Sequence, residues 1–295
     1  MSIARKHGQF VFQKMGRALT NLSSGQDAES IHSFRTTSRR LQTLLEQIVA
    51  RRDAKRDRNQ KKLLKMLDRI RKRAGKVRDL DVQLAALRSL KVPQEPRRKT
   101  QLIQGLIELR AKHEKRLQKT LNKQTIREIQ KRLKRGAKQV RLEAAGDPLS
   151  VARTMLAQVV RPAGPVTEDL LHRYRIVVKR ARYAAEFAPR SAEAVQFMGQ
   201  LKQLQDALGN WHDWLTLTQT AARRLGDVNQ SSLVAALHNV TGGKFRQAVA
   251  ALSALPTIQA RTIQTARKGL PAVAEQAHKR STKSPTLLRR TETAA

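Results

Sequence analysis

Leu, Ala, Gln, Arg and Lys recur at three- and four-residue intervals through most of this chain, whereas alternating runs of β-branched or aromatic residues are almost absent. A pattern with that period buries one stripe of a helix and cannot bury one face of a pleated strand, so the expected fold class is all-α. Breaks are expected at Ser23-Ser24-Gly25, Pro93 to Pro96, Gly146-Asp147-Pro148, Pro162 to Pro165, Pro189, Gly226-Asp227, Gly242-Gly243 and Pro256. They divide the chain into about eight to ten helical segments. Asp27 and Thr167 each precede an apolar-periodic segment with a carboxylate soon after, the arrangement of a helix N-cap.

Comparison of the chain with itself shows two repeated patterns. His32-Ser33-Phe34-Arg35 followed by Arg39-Arg40 returns 140 residues later as His172-Arg173-Tyr174-Arg175 followed by Lys179-Arg180. Gly75-Lys76-Val77-Arg78-Asp79 returns after 134 residues as Gly209-Asn210-Trp211-His212-Asp213. Two related halves are expected, 1–147 and 148–277, each a bundle of about four helices, with the helical repeat weakest after 256. Residues 278–295, with Lys279, Arg280, Lys283, Arg289 and Arg290, read as a flexible basic tail.

The two histidine-bearing helices divide cleanly into faces. At about 100° per residue, His32, Arg35 and Arg39 share one side, and Phe34, Leu41, Leu44, Leu45 and Ile48 the other. In the second copy His172, Arg175, Lys179, Arg182 and Tyr183 oppose Tyr174, Val177, Val178, Ala181 and Ala185. Two more cationic stripes follow: Lys65, Arg69, Lys72 and Lys76, and then Lys112, Arg116, Lys119 and Lys123 along a further helix.

These stripes reflect the overall balance of 60 Lys+Arg against 23 Asp+Glu, a formal net charge of +37. Like charges at i and i+4 destabilise a helix, and a merely solvated face would interleave carboxylates. Any one stripe reads as a solubility surface; four together favour a continuous positive channel between the halves, filled by a polyanion. Arg offers forked donors to phosphate oxygens and Lys mobile point charges.

His32 and His172 are each compatible with an ordinary surface histidine, a hydrogen-bond donor to phosphate, or a phosphate-accepting nucleophile. Their guanidinium-rich surroundings favour the donor role. Arg78-Asp79-Leu80-Asp81 is the densest acidic feature, but Arg78 is adjacent and the counterpart has one carboxylate in register. A structural role is expected for Asp79 and Asp213, orienting cations or holding helix ends after Gly75 and Gly209, rather than a metal site. Trp211 and Trp214 read as core anchors.

The absence of cysteine excludes disulfides, thiolate zinc sites and thiol nucleophiles. No stretch reaches the length of a membrane span, so a cytoplasmic address is expected. Neither a Gly-rich phosphate loop nor a metal-binding carboxylate set accompanies the stripes, so no enzymatic activity and no cofactor are expected. Nucleic acid is the alternative partner on charge alone. Against it, only 3% of residues are aromatic, leaving few platforms for stacked bases.

These motifs together resemble the CHAD family, the conserved-histidine α-helical domain. They are Ile31-His32-Ser33-Phe34-Arg35 to Arg40-Leu41, Val77-Arg78-Asp79-Leu80-Asp81-Val82, and Leu171-His172-Arg173-Tyr174-Arg175 to Arg182-Tyr183-Ala184-Ala185-Glu186. Leu204-Gln205-Asp206-Ala207-Leu208-Gly209 followed by His212-Asp213 is similar to a fourth motif, with His212 where Asn is usual. The resemblance covers about residues 5 to 255. It implies two pseudo-symmetric bundles around a basic pore, binding of inorganic polyphosphate without catalysis, and association with polyphosphate granules. It also implies a stand-alone member, without the β-barrel hydrolase domain fused to some relatives. By position in the motifs the expected ligand contacts are His32, Arg35, Arg39, Arg40, His172, Arg175, Lys179, Arg180, Arg182 and Tyr183, to which periodicity adds the two lysine-rich stripes.

Overall fold

The computed structural model describes residues 3–48, 54–92, 94–139, 147–159 and 164–254. Among the described residues there are nine α-helices and no strand. The helices are α1 (Ile3–Ser24), α2 (Ala28–Thr43), α3 (Ala54–Ser89), α4 (Pro96–Thr120), α5 (Lys123–Gln139), α6 (Pro148–Ala157), α7 (Glu168–Ala185), α8 (Ala192–Leu225) and α9 (Ser232–Ser253). A π-helical turn, Leu44–Ile48, continues α2. The chain divides into two units, Met1–Ala254 and Leu255–Ala295. The second lies outside the described residues, and with it the break at Pro256, the stretch 256–277 and the basic tail.

Both N-caps form as the local sequence dictates. The Asp27 carboxylate accepts from the Glu29 and Ser30 backbone N–H groups, and the Thr167 hydroxyl accepts from that of Leu170, satisfying donors that a helix start leaves without partners. Each histidine of the repeated motif is therefore the fifth residue of its helix. Behind them, α2 buries Ile31, Phe34, Thr37, Ser38 and Leu41, and α7 buries Leu170, Leu171, Tyr174, Val178 and Ala181. Burial of these faces against neighbouring helices turns His32, Arg35, Arg39, His172, Arg175 and Lys179 the other way.

Helices α1 to α5 pack around α3, with α1 on α2 and α5 and α3 on α2, α4 and α5; α6 to α9 pack in sequence, each on the next. The two groups meet where α2 touches α7 and α3 touches α8. Part of that junction is apolar: Leu80, Leu84 and Leu87 of α3 share a core with Leu217 and Ala221 of α8 and Leu233 and Leu237 of α9. In the preceding turns of α3 the side toward α2 carries Arg71, Gly75 and Asp79, and the cations gather there.

Three expectations are corrected. Gly242 and Gly243 lie inside α9, where the flanking apolar residues Leu237 and Ala248 are buried and tertiary packing outweighs the poor helix propensity of glycine. Gly75 and Gly209 likewise sit within α3 and α8 and end neither helix. Lys123 does not continue the stripe of α4: that helix stops at Thr120, and Asn122 caps α5 by accepting from the Thr125 N–H at 2.8 Å.

A candidate anion-binding junction

Arg35 reaches from α2 to α3, where its Nη1 donates to the Gly75 carbonyl at 2.8 Å and to Asp79 Oδ1 at 3.1 Å. A Cβ at position 75 would stand 3.4 Å from that nitrogen, an ordinary contact, so the guanidinium packs closely on this turn of α3. Asp79 thus orients a cation, as the sequence suggests. Arg39 lies one turn further along α2, and Arg175 and Lys179 are the corresponding residues of α7.

These side chains are close enough to perturb one another. Burial first, then the nearby Arg71 charge, lowers Arg39, with Arg35 and Arg175 adding to the effect. Arg175 is lowered by burial and by Arg35, opposed by Asp213 and Asp79. Lys179 is pushed down to about 8, first by burial and then by Arg175, with Arg39 and Arg35 contributing and Asp213 opposing. Four cations from two helices thus cluster at the junction, Arg39 exposed and Arg35, Arg175 and Lys179 half-buried, within reach of one carboxylate from each group of helices. The Nε of Arg175 is buried with no hydrogen-bond partner among the described residues. Buried donors are ordinarily satisfied, so this junction suits an acceptor from outside.

The histidines stand at the margin. His32 is exposed and lowered by partial burial and then by Arg78. His172 stacks on His212 with ring centroids 5.6 Å apart and planes at 29°, and is lowered by burial, His212 and Arg175. An arriving phosphate would reverse this and favour the imidazolium.

Arg40, Arg182 and Tyr183 take a different arrangement. Arg40 donates from Nε to Glu186 Oε2 at 2.6 Å and from Nη2 to Oε1 at 3.1 Å, and Arg182 Nη2 lies 3.5 Å from the same carboxylate. Both guanidinium carbons stand 5.8 Å from the ring centre of the buried Tyr183. This two-point pair clasps α2 to the end of α7 and occupies much of Arg40's donor capacity, whereas the Nε of Arg182 is buried with no partner among the described residues. Arg180 faces elsewhere, lining a groove with Asp147, Ser150, Thr154 and Gln158 beside α6.

Of the added stripes, Lys65, Arg69, Lys72 and Lys76 are all exposed along α3, with Lys72 2.9 Å from Asp68. Lys112, Arg116 and Lys119 are exposed on α4, and the half-buried His113 feels Lys76, Arg116 and Lys112 at once, placing the two stripes side by side. Lys123 is separated from them on α5. Sequence periodicity missed Arg71, which crowds Arg39 from α3, and the partners Glu186 and His212. Arg71 follows an acidic neighbour, Asp68, and so resembles half of an ordinary intrahelical pair.

A profile of the CHAD domain matches residues 9–222. The chain belongs to the CHAD family. PptA from Streptomyces chartreusis shares the fold, with a TM-score of 0.60 at 16% identity over 88% of this chain and 98% of that one. The CHAD domain from the plant Ricinus communis superimposes with a TM-score of 0.51 at 18% identity over 89% of each chain. Among curated proteins no sequence match is found. At these identities the likeness carries the CHAD architecture alone. Among the described residues no helix is long and apolar enough to cross a membrane.

The lowered Lys179 leads to an expected dependence of stability on pH. The unfolded chain holds the Lys179 proton up to an ordinary lysine value of 10.5, the folded chain only to about 8. Between those values the unfolded state binds more protons, so native stability rises with pH across that window; below it the cost of the crowded charge is complete. Lys179→Met is expected to stabilise the free protein at pH 7 and to abolish the rise, as followed by chemical denaturation at pH 7, 8 and 9.5. A wild-type midpoint that is flat over this range would contradict the crowding.

Proposed function

We propose that this protein binds inorganic polyphosphate without chemically altering it, and that this binding carries it to polyphosphate granules in the cytoplasm. The observation that supports the reading most is the gathering of Arg35, Arg39, Arg175 and Lys179 at one junction, with a buried guanidinium nitrogen unpartnered among the described residues and Asp79 and Asp213 as the opposing carboxylates. Crowded like charges are a standing cost to the free fold, and an anionic chain lying among them removes it. The ligand would be narrow, flexible and densely charged, with successive non-bridging oxygens accepting from the forked Arg donors and from His32 and His172. A granule of the same polymer offers many equivalent binding stretches, so avidity supports retention there.

Nucleic acid satisfies the charge but not the surroundings. The large aromatic rings Phe34, Tyr174 and Trp211 are fully buried and offer no platform for bases at the junction; the exposed Phe10 stands on α1.

Thermal unfolding tests the proposal. Polyphosphate at about a hundred times its dissociation constant is expected to add about 2.7 kcal/mol, which raises the midpoint by roughly 5–10 °C for a chain of this size. The rise should shrink steeply with added salt as released counterions lose their advantage. A titration of labelled long-chain polyphosphate against duplex DNA and single-stranded RNA at matched total charge then separates the readings: displacement charge for charge by nucleic acid rejects a shaped phosphate site.

A further inference from the structure

The displacement of Lys123 onto α5 leads to a second basic feature. Lys62 of α3 and Lys123, Gln124, Arg127, Glu128 and Lys131 of α5 line an open groove of about 670 Å³. Lys62, Lys123, Arg127 and Lys131 are all exposed and form both of its walls. Its one carboxylate, Glu128, is already engaged by Arg132, whose Nη2 stands 2.5 Å away. Arg132 in turn donates to Asn59 Oδ1 at 2.8 Å and fixes α5 on α3. The groove thus sets four cations against one carboxylate, which Arg132 holds and whose charge Lys62 and Lys131 also feel.

Its position relative to the junction is set by α3. Lys62 and Gly75 are separated by about 20 Å along one straight helix at 1.5 Å per residue. Between them Lys65, Arg69 and Lys72 follow on the same face, each exposed, and Lys76 ends the row beside the carbonyl that receives Arg35. A cationic path therefore runs from the junction to the groove, at intervals of about one helical turn.

We propose that the α3–α5 groove is an outlying contact for the polyphosphate chain held at the junction, reached along the lysine row of α3, and that it makes this protein selective for long chains. The inference rests on the polyphosphate reading above and assigns that ligand a length requirement. The groove has two basic walls and no aromatic lining, which suits a bare phosphate chain better than a strand carrying bases. A chain too short to leave the junction gains nothing from it. One that spans the row meets the groove at a high effective concentration, because its other end is already bound.

Two polyphosphate preparations are titrated against the full-length protein at near-physiological salt and equal total phosphate. One is too short to span about 20 Å and the other is several times longer. Wild-type protein is expected to prefer the long chain by at least about tenfold. Lys62→Gln/Arg127→Gln/Lys131→Gln removes the preference while leaving short-chain affinity within about twofold. Arg88→Gln/Lys91→Gln/Arg97→Gln, which removes as much charge from exposed positions near the α3–α4 turn, keeps the preference. The proposal is overturned if the groove variant retains the long-chain preference, if the control variant loses it equally, or if the groove variant loses duplex DNA binding instead. Failure of the wild type to bind even the short chain would overturn the polyphosphate reading itself, since that chain needs only the junction.

Discussion

Replacing Arg35 and Arg39 together with glutamine weakens binding of long-chain polyphosphate by about a hundredfold, while the same exchange at Arg289 and Arg290 changes it by less than about threefold. The magnitude follows from removing two charge-assisted hydrogen bonds to phosphate at roughly 1.5 kcal/mol or more each, with every 1.4 kcal/mol a factor of ten. The contrast matters more than either value. An arginine that acts only through the general field is screened by salt, whereas Arg35 and Arg39 stand among Arg175 and Lys179, where crowding of like charge adds to their effect. Arg35 also holds α2 to α3 through Gly75 and Asp79. The single variant Arg39→Gln, which leaves that bond intact, is therefore measured alongside. Equal losses at the junction and the tail would show diffuse surface attraction and remove the case for a shaped site.

Phe34→Ala is expected to lower stability by about 3–5 kcal/mol, enough to bring the thermal midpoint down by roughly 6–20 °C. Phe34 is completely buried on the face of α2 opposite His32, Arg35 and Arg39. Truncation leaves a cavity that rigid neighbouring helices fill only in part. The variant reads out packing separately from charge: below its transition it keeps the cationic face and should still bind polyphosphate, with an affinity close to wild type. A loss of less than about 1 kcal/mol in denaturant unfolding would mean that α2 is not anchored through this ring.

The contrast between the two variants reflects how the site is built. Apolar faces set the azimuth of α2 and α7, and the cations then point where those faces do not. The buried faces carry stability, and the proposed binding falls to the opposite sides of the same two helices. On the proposed function Lys179 is the exception, since its charge opposes folding while the polyphosphate reading gives it a part in binding.

Much of this was legible in the residues alone because it is local. Apolar spacing at three and four residues specifies helices and their buried faces, and Asp27 and Thr167 specify where two of them start, since a cap needs only the next three backbone N–H groups. The repeated His-x-x-Arg pattern marked both halves of the junction, and the excess of Lys and Arg marked its sign. Tertiary structure alone decided which cations meet. Arg40 and Arg39 are neighbours in the chain, yet one clasps Glu186 across 146 residues while the other stays available to a ligand, a division set by which side of α2 faces α7. Gly75 sits inside a helix and receives Arg35 because α2 crosses α3 at that turn, and Lys123 left its stripe because the chain reversed after Thr120. Contacts between residues far apart in sequence depend on how helices pack, and packing is fixed by the sum of many buried faces rather than by any one segment.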